Sequence, residues 1–111
     1  MAEDYVRQYE RVPFSVDLDV SVPSEGTTCQ AQSIDMCRGG VGFFARRFIP
    51  VGVHLRIAFH IQVNGRAQTE SISAVVIHAR TDSEGAVMGA AFDTPINPSA
   101  QPLLCRHIDR R

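Results

Sequence analysis

Two short groups of residues carry most of the chemistry this sequence offers. The first is Arg7-Gln8-Tyr9-Glu10-Arg11, two arginines separated by three residues. A guanidinium is a flat fork that grips a phosphate or a base edge with paired hydrogen bonds. On a segment without a strand pattern, both forks can fold onto one anionic ligand. The second group is Asp35-Met36-Cys37-Arg38-Gly39-Gly40. Its carboxylate accepts from N–H donors, and its glycines let a ligand come close to the backbone because they lack a Cβ. Each group also has a plain reading: a solvated terminal segment, and a hairpin turn whose glycines take positive φ. Cys37 itself is open to three readings: a reactive thiol, a metal ligand, or a small group lining a binding site.

The elements that must position these groups are strands. Phe14, Val16, Leu18, Val20 and Val22 alternate with Ser15, Asp17, Asp19 and Ser21, a half-buried strand by pattern. Pro23 to Gly26 break it. A second strand is expected from Thr27 to Ile34, ending at Asp35, followed by a turn or loop from Met36 to Gly40. Val41 to Ala45 make a third. After Pro50 and Gly52, residues Val53, Leu55, Ile57, Phe59 and Ile61 give the cleanest alternation in the chain. Asn64-Gly65 then signals a hairpin. Further strands are expected over Ile72–Arg80 and Ala86–Phe92. Asn97 and Pro98 can open a short helix, but Pro102 places its start later, with Leu103, Leu104 and Ile108 on its apolar side.

The totals narrow the classes. A length of 111 residues fits one domain with one core. The net charge is −1, so no general polyanion-binding field is expected. All eleven basic residues are arginine, a bias spread over the chain, so only particular arginines carry information. With two tyrosines and no tryptophan, no stacking platform for a nucleic-acid polymer is visible. The apolar runs are too short to cross a bilayer, and the charged start MAEDYVRQYER is not a secretory signal. A cytoplasmic protein without membrane insertion is expected. Cys29, Cys37 and Cys105 are an odd number at wide spacing, which argues against a disulfide framework and against a zinc pair. The four histidines have no metal-ligand spacing. Arg38 beside Cys37 can lower a thiol pKa, but no base and orienter surround the cysteine in motif form. A non-catalytic protein without a metal is expected.

The order and spacing of the two groups resemble the PilZ domain family, bacterial receptors for cyclic di-GMP. The family pattern is RxxxR before the first barrel strand, then Asp or Asn followed by x-Ser-x-x-Gly after the second. Arg7 and Arg11 match the first motif, and Asp35 and Gly40 match the second. Cys37 stands at the serine position, a departure. Val12-Pro13, the strand VGVHLRIAF and the closing MGAAFD also fit, so the resemblance runs from about Arg7 to Asp93.

The resemblance implies an all-β fold, a six-stranded antiparallel PilZ-type barrel with a short C-terminal helix. Residues 1–6 form a flexible tail and residues 7–111 the domain. It implies binding of cyclic di-GMP through Arg7, Arg11, Asp35, Cys37 and Gly40. The arginines clasp bases and phosphates, Asp35 reads a guanine edge, Cys37 contacts the same base and Gly40 keeps the turn open. Ordering of the arm over the ligand changes the surface that an effector protein reads, and a domain this short is expected to need such a partner. The alternative is a degenerate member that has lost the nucleotide and acts as a protein-interaction adaptor. Cys37 is the feature that points there, because a thiol is a weaker donor and acceptor than a hydroxyl.

Overall fold

The computed structural model describes residues 10–109. Seven strands and one helix follow in chain order: β1 (Val12–Pro13), β2 (Asp17–Val22), β3 (Thr27–Cys37), β4 (Gly40–Ala45), β5 (His54–Val63), β6 (Arg66–Thr81), β7 (Ala86–Phe92) and α1 (Pro102–Asp109). All neighbouring strands are antiparallel, in the order β1-β3-β2-β5-β6-β7-β4. A further β3–β4 pairing joins the ends, so six strands close into a ring. Closure removes the unpaired edges an open sheet would leave. No described helix is long and apolar enough to cross a membrane.

Alternation supplies the core. Leu18, Val20 and Val22 of β2 point inward with Leu55, Ile57 and Phe59 of β5, Ile72, Ala74 and Val76 of β6, and Met88, Ala90 and Phe92 of β7. Phe43 and Phe59 are wholly buried, and burying a side chain of this size contributes about 1.5–3 kcal/mol. The Asn64-Gly65 turn has φ of 52° and 80°, as a two-residue hairpin with both central residues left-handed requires.

Three departures from the expected strands have physical causes. The strand expected from Phe14 begins only at Asp17, and a separate two-residue β1 precedes the gap. The hydroxyl of Ser33 fills the gap: it donates to Phe14 O at 2.6 Å and accepts from Val16 N at 2.9 Å, a side chain standing in for ladder bonds. β3 does not end at Asp35 but runs through Cys37, which pairs with Gly40. Only Arg38 and Gly39 turn the chain, and neither Gly39 nor Gly40 takes a positive φ. β6 starts at Arg66 rather than Ile72, because its polar first residues pair with the end of β5.

Asn97 does not open the helix. Its side chain accepts from Ser99 N and Ala100 N and closes a separate turn. The N-terminus of α1 is capped instead from across the barrel. The carboxylate of Glu70, on β6, accepts from Leu103 N at 2.8 Å and Leu104 N at 2.9 Å. Leu104 and Cys105 then bury against the core.

Candidate functional site

The site is built on two irregularities in the sheet. Between Ser33 and Asp35 the β3–β4 register shifts, leaving Ile34 as an extra residue. Before it, Cys29, Ala31 and Ser33 turn toward the core. Unbroken alternation would send Asp35 the same way. The bulge hands the inward position to Met36, which is wholly buried, and turns Asp35 outward. The β6–β7 register shifts in the same manner between Val76 and His78, with Ile77 extra. Ile72, Ala74 and Val76 point inward, and the bulge turns His78 out.

The two outward residues end one row. Asp35 pairs with Gly42, Gly42 with Gly89, and Gly89 with His78. Four strands thus carry a carboxylate, two bare backbone positions and an imidazole in register. Three strand spacings make the row about 14 Å long.

Arg11 hydrogen-bonds and ion-pairs with Asp35 through Nη2 and Oδ1. The pair leans on the first glycine. A Cβ added to Gly42 would lie 2.6 Å from Asp35 Oδ1 and 3.2 Å from Arg11 Nη2. Glycine inside a strand often marks such an approach. The pair holds Arg11 above the ordinary guanidinium pKa. The hydrogen bond to Asp35 is the main cause, partial burial opposes it, and the charges of Asp35 and Cys37 add to it. The structure therefore brings Arg11, Asp35 and Cys37 together. Arg7 lies outside the described residues.

Cys37 faces the same outer side, one row along, where Cys37 pairs with Gly40, Gly40 with Ala91 and Ala91 with Val75. Yet its exposure is 0%, and it packs with Ala91, Val75 and Ile77. Gly40 is buried within β4. Arg38 turns away from this row. It pairs with Asp109 at the end of α1, and its Nη1 lies 4.0 Å from Cys105 Sγ. Burial is the main cause that pushes the Cys29 and Cys105 thiols above their ordinary pKa. A raised thiol pKa is the opposite of nucleophile activation. Among the described residues no group of three or more His, Cys, Asp or Glu could hold a metal.

Gly42, Gly89 and His78 escaped the sequence reading. Two glycines inside otherwise apolar strands, in VGF and MGA, were the available signal. Only the register shows that they are neighbours. A separate cleft of about 820 Å³, lined by Asp19, Arg46, Arg47 and His60 among others, contains none of the expected site residues that are described.

The PilZ domain model matches residues 5–110 of the sequence. The chain belongs to the PilZ domain family. Solved structures agree on the fold of this PilZ domain. The Bacillus subtilis inhibitor of motility (MotI/DgrA) superposes with a TM-score of 0.73 at 21% identity. That match covers 94% of this chain and 50% of the other, so the domain spans about half the length of that relative. The PilZ domain with c-di-GMP of YcgR from Escherichia coli gives 0.69 at 16% identity, covering 94% and 89%. The PilZ domain of CeSA from a cellulose-synthesizing bacterium gives 0.58 at 14%, covering 91% and 96%. A search of curated proteins finds no match.

Proposed function

We propose that this PilZ domain is a cytoplasmic, non-catalytic receptor for cyclic di-GMP that passes a change of shape to a partner protein. The observation that carries the reading is the Arg11–Asp35 pair, turned outward by a bulge onto a glycine floor. Family membership supports it, and the solved YcgR domain is described with that nucleotide.

The pair suits exchange. Both side chains are about one-third exposed, and exposed ion pairs contribute only about 0.2–1 kcal/mol. A guanine offers N–H donors to Asp35 and the O6 and N7 acceptors to a guanidinium. A phosphate offers paired oxygens to the same fork. The nucleotide thus replaces one weak internal pair with stronger charge-assisted bonds. Arg7 is the second fork of the clasp, and residues 1–6 are a tail ahead of it. Gly40, opposite Cys37, keeps the turn open. Cys37 contributes from one row away, and reaching a base requires its cover to move.

The burial of Cys37 favours a second reading, in which the site no longer takes nucleotide and the domain is an adaptor. Calorimetric titration with cyclic di-GMP separates the two. The receptor reading expects saturable heat with wild type. Arg11→Ala is expected to weaken it by about tenfold to a hundredfold, the loss of a charge-assisted hydrogen bond. Absence of heat from wild type at high ligand would leave the adaptor.

A further inference from the structure

We propose that His78 is the base-stacking surface of this site, an imidazole platform at the far end of the row from Asp35. The proposal rests on the cyclic di-GMP reading and goes beyond it by assigning a residue outside the two motifs.

Three observations carry it. First, the bulge at Ile77 turns His78 outward, as the bulge at Ile34 turns Asp35 outward. Two bulges at opposite ends of one register row expose two polar side chains on the same surface. Bulges re-aim side chains and gather near functional sites. Second, the residues between them are glycines, so the Arg11–Asp35 pair can lie over Gly42 and the His78 ring over Gly89, side by side on one surface. Third, the ring is flat on its glycine. A Cβ built on Gly89 would fall closest to His78 Nε2, and at 2.6 and 2.8 Å from Cε1 and Cδ2, the two carbons bonded to it. A point beyond the ring edge at Nε2 would stand well farther from both carbons. The Cβ position therefore lies over the ring face. One face of the imidazole covers Gly89, and the exposed side chain presents the other outward.

An aromatic ring laid flat on backbone, with its free face outward, is the geometry a planar base stacks on. A row about 14 Å long has room for a purine over the imidazole while a guanidinium holds a neighbouring phosphate or base edge. Gly89 is then a requirement of the platform: any side chain there lifts the ring.

The test is calorimetric titration with cyclic di-GMP on wild type, His78→Ala and His78→Phe. Proton spectra of the His78 ring, recorded with and without nucleotide, accompany it. Removal of one stacked base contact is expected to weaken binding by between about fivefold and a hundredfold in His78→Ala. His78→Phe keeps a flat ring and is expected to stay near wild type. In wild type, the His78 ring protons are expected to move upfield under the base. Wild-type binding with unchanged affinity in His78→Ala and no ring shift would overturn the platform and leave the receptor. If Phe weakened binding as much as Ala, a polar contact would replace stacking. A wild type that gave no heat would remove the receptor reading, and the platform with it. The ring spectra use unaltered protein, so they hold even if a variant folds poorly.

Discussion

Two arginine–carboxylate pairs flank the β3–β4 hairpin, and they serve different ends. Arg11–Asp35 joins the segment before β1 to β3, and Arg38–Asp109 joins the hairpin turn to the last residue of α1. Their solvent exposure is similar, with side chains at 36% and 35% in the first and 35% and 56% in the second. By the rule for exposed pairs, each contributes about 0.2–1 kcal/mol. What differs is the support at each end. Asp35 and Arg11 rest on a bare glycine, so parting them opens the row toward His78. Asp109 sits on a helix already fixed by the Glu70 cap, by the burial of Leu104 and Cys105, and by His107, whose Nε2 lies 3.1 Å from Pro13 O. His107 also lies 4.5 Å from the Phe14 ring, centroid to centroid. Equal strength therefore does not mean equal role. A weak pair resting on a glycine can part without disturbing the fold, whereas a weak pair on a docked helix is redundant.

The sharpest test of that contrast is Glu70→Ala. Glu70 is buried and accepts two backbone N–H groups at the start of α1. Without it those donors lose their partner while Leu104 still draws them inward. Leaving buried donors unsatisfied is expected to cost about 2 kcal/mol, lowering Tm by roughly 10 °C. Thermal unfolding by circular dichroism measures it. An unchanged Tm would mean that α1 is not held from Glu70, and the claimed redundancy of Arg38–Asp109 would fail with it.

Gly42→Ala probes the other pair and is expected to act on binding rather than on folding. The added methyl meets Asp35 Oδ1 and Arg11 Nη2, both ends of movable side chains. They swing aside, the fold stays, and the carboxylate leaves its place in the row. Cyclic di-GMP affinity is expected to fall about tenfold, the worth of one misplaced charged hydrogen bond. A variant that lost stability but kept its affinity would show that the glycine serves packing alone.

Much of the fold was legible because period-two alternation survives in the core. Leu55, Ile57 and Phe59 face inward as their spacing demands. Of the candidate site only the residue types were legible: Arg11 and Asp35 pair, and Cys37 lies buried one row along. The bulges were not legible. A bulge adds one residue without altering composition, and Ile34 and Ile77 look like any apolar strand residue. Continuous alternation therefore hides both Asp35 and His78 in the interior. The late start of β2 depends on Ser33, a hydroxyl seventeen residues from Val16 in sequence. Glu70 as the cap of α1, and Arg38 as the partner of Asp109 71 residues away, are likewise products of closure. A local pattern carries the strands, but the floor of the site exists only once four strands are in register.

Asp109→Asn is expected to have the smallest effect. It removes the charge that faces Arg38 and keeps the shape and a hydrogen-bonding carbonyl. With Glu70, Leu104, Cys105 and His107 still holding the helix, the loss is expected to stay within about 0.5 kcal/mol. Cyclic di-GMP affinity is expected to be unchanged, because Arg38 turns away from the row that ends in Asp35. A gain in affinity would alter the comparison: Arg38, released from α1, would then be a third fork for the nucleotide, and its pairing with Asp109 a restraint on the site. Titrating wild type and Asp109→Asn side by side, with their melting curves, decides between a redundant clamp and a restraint.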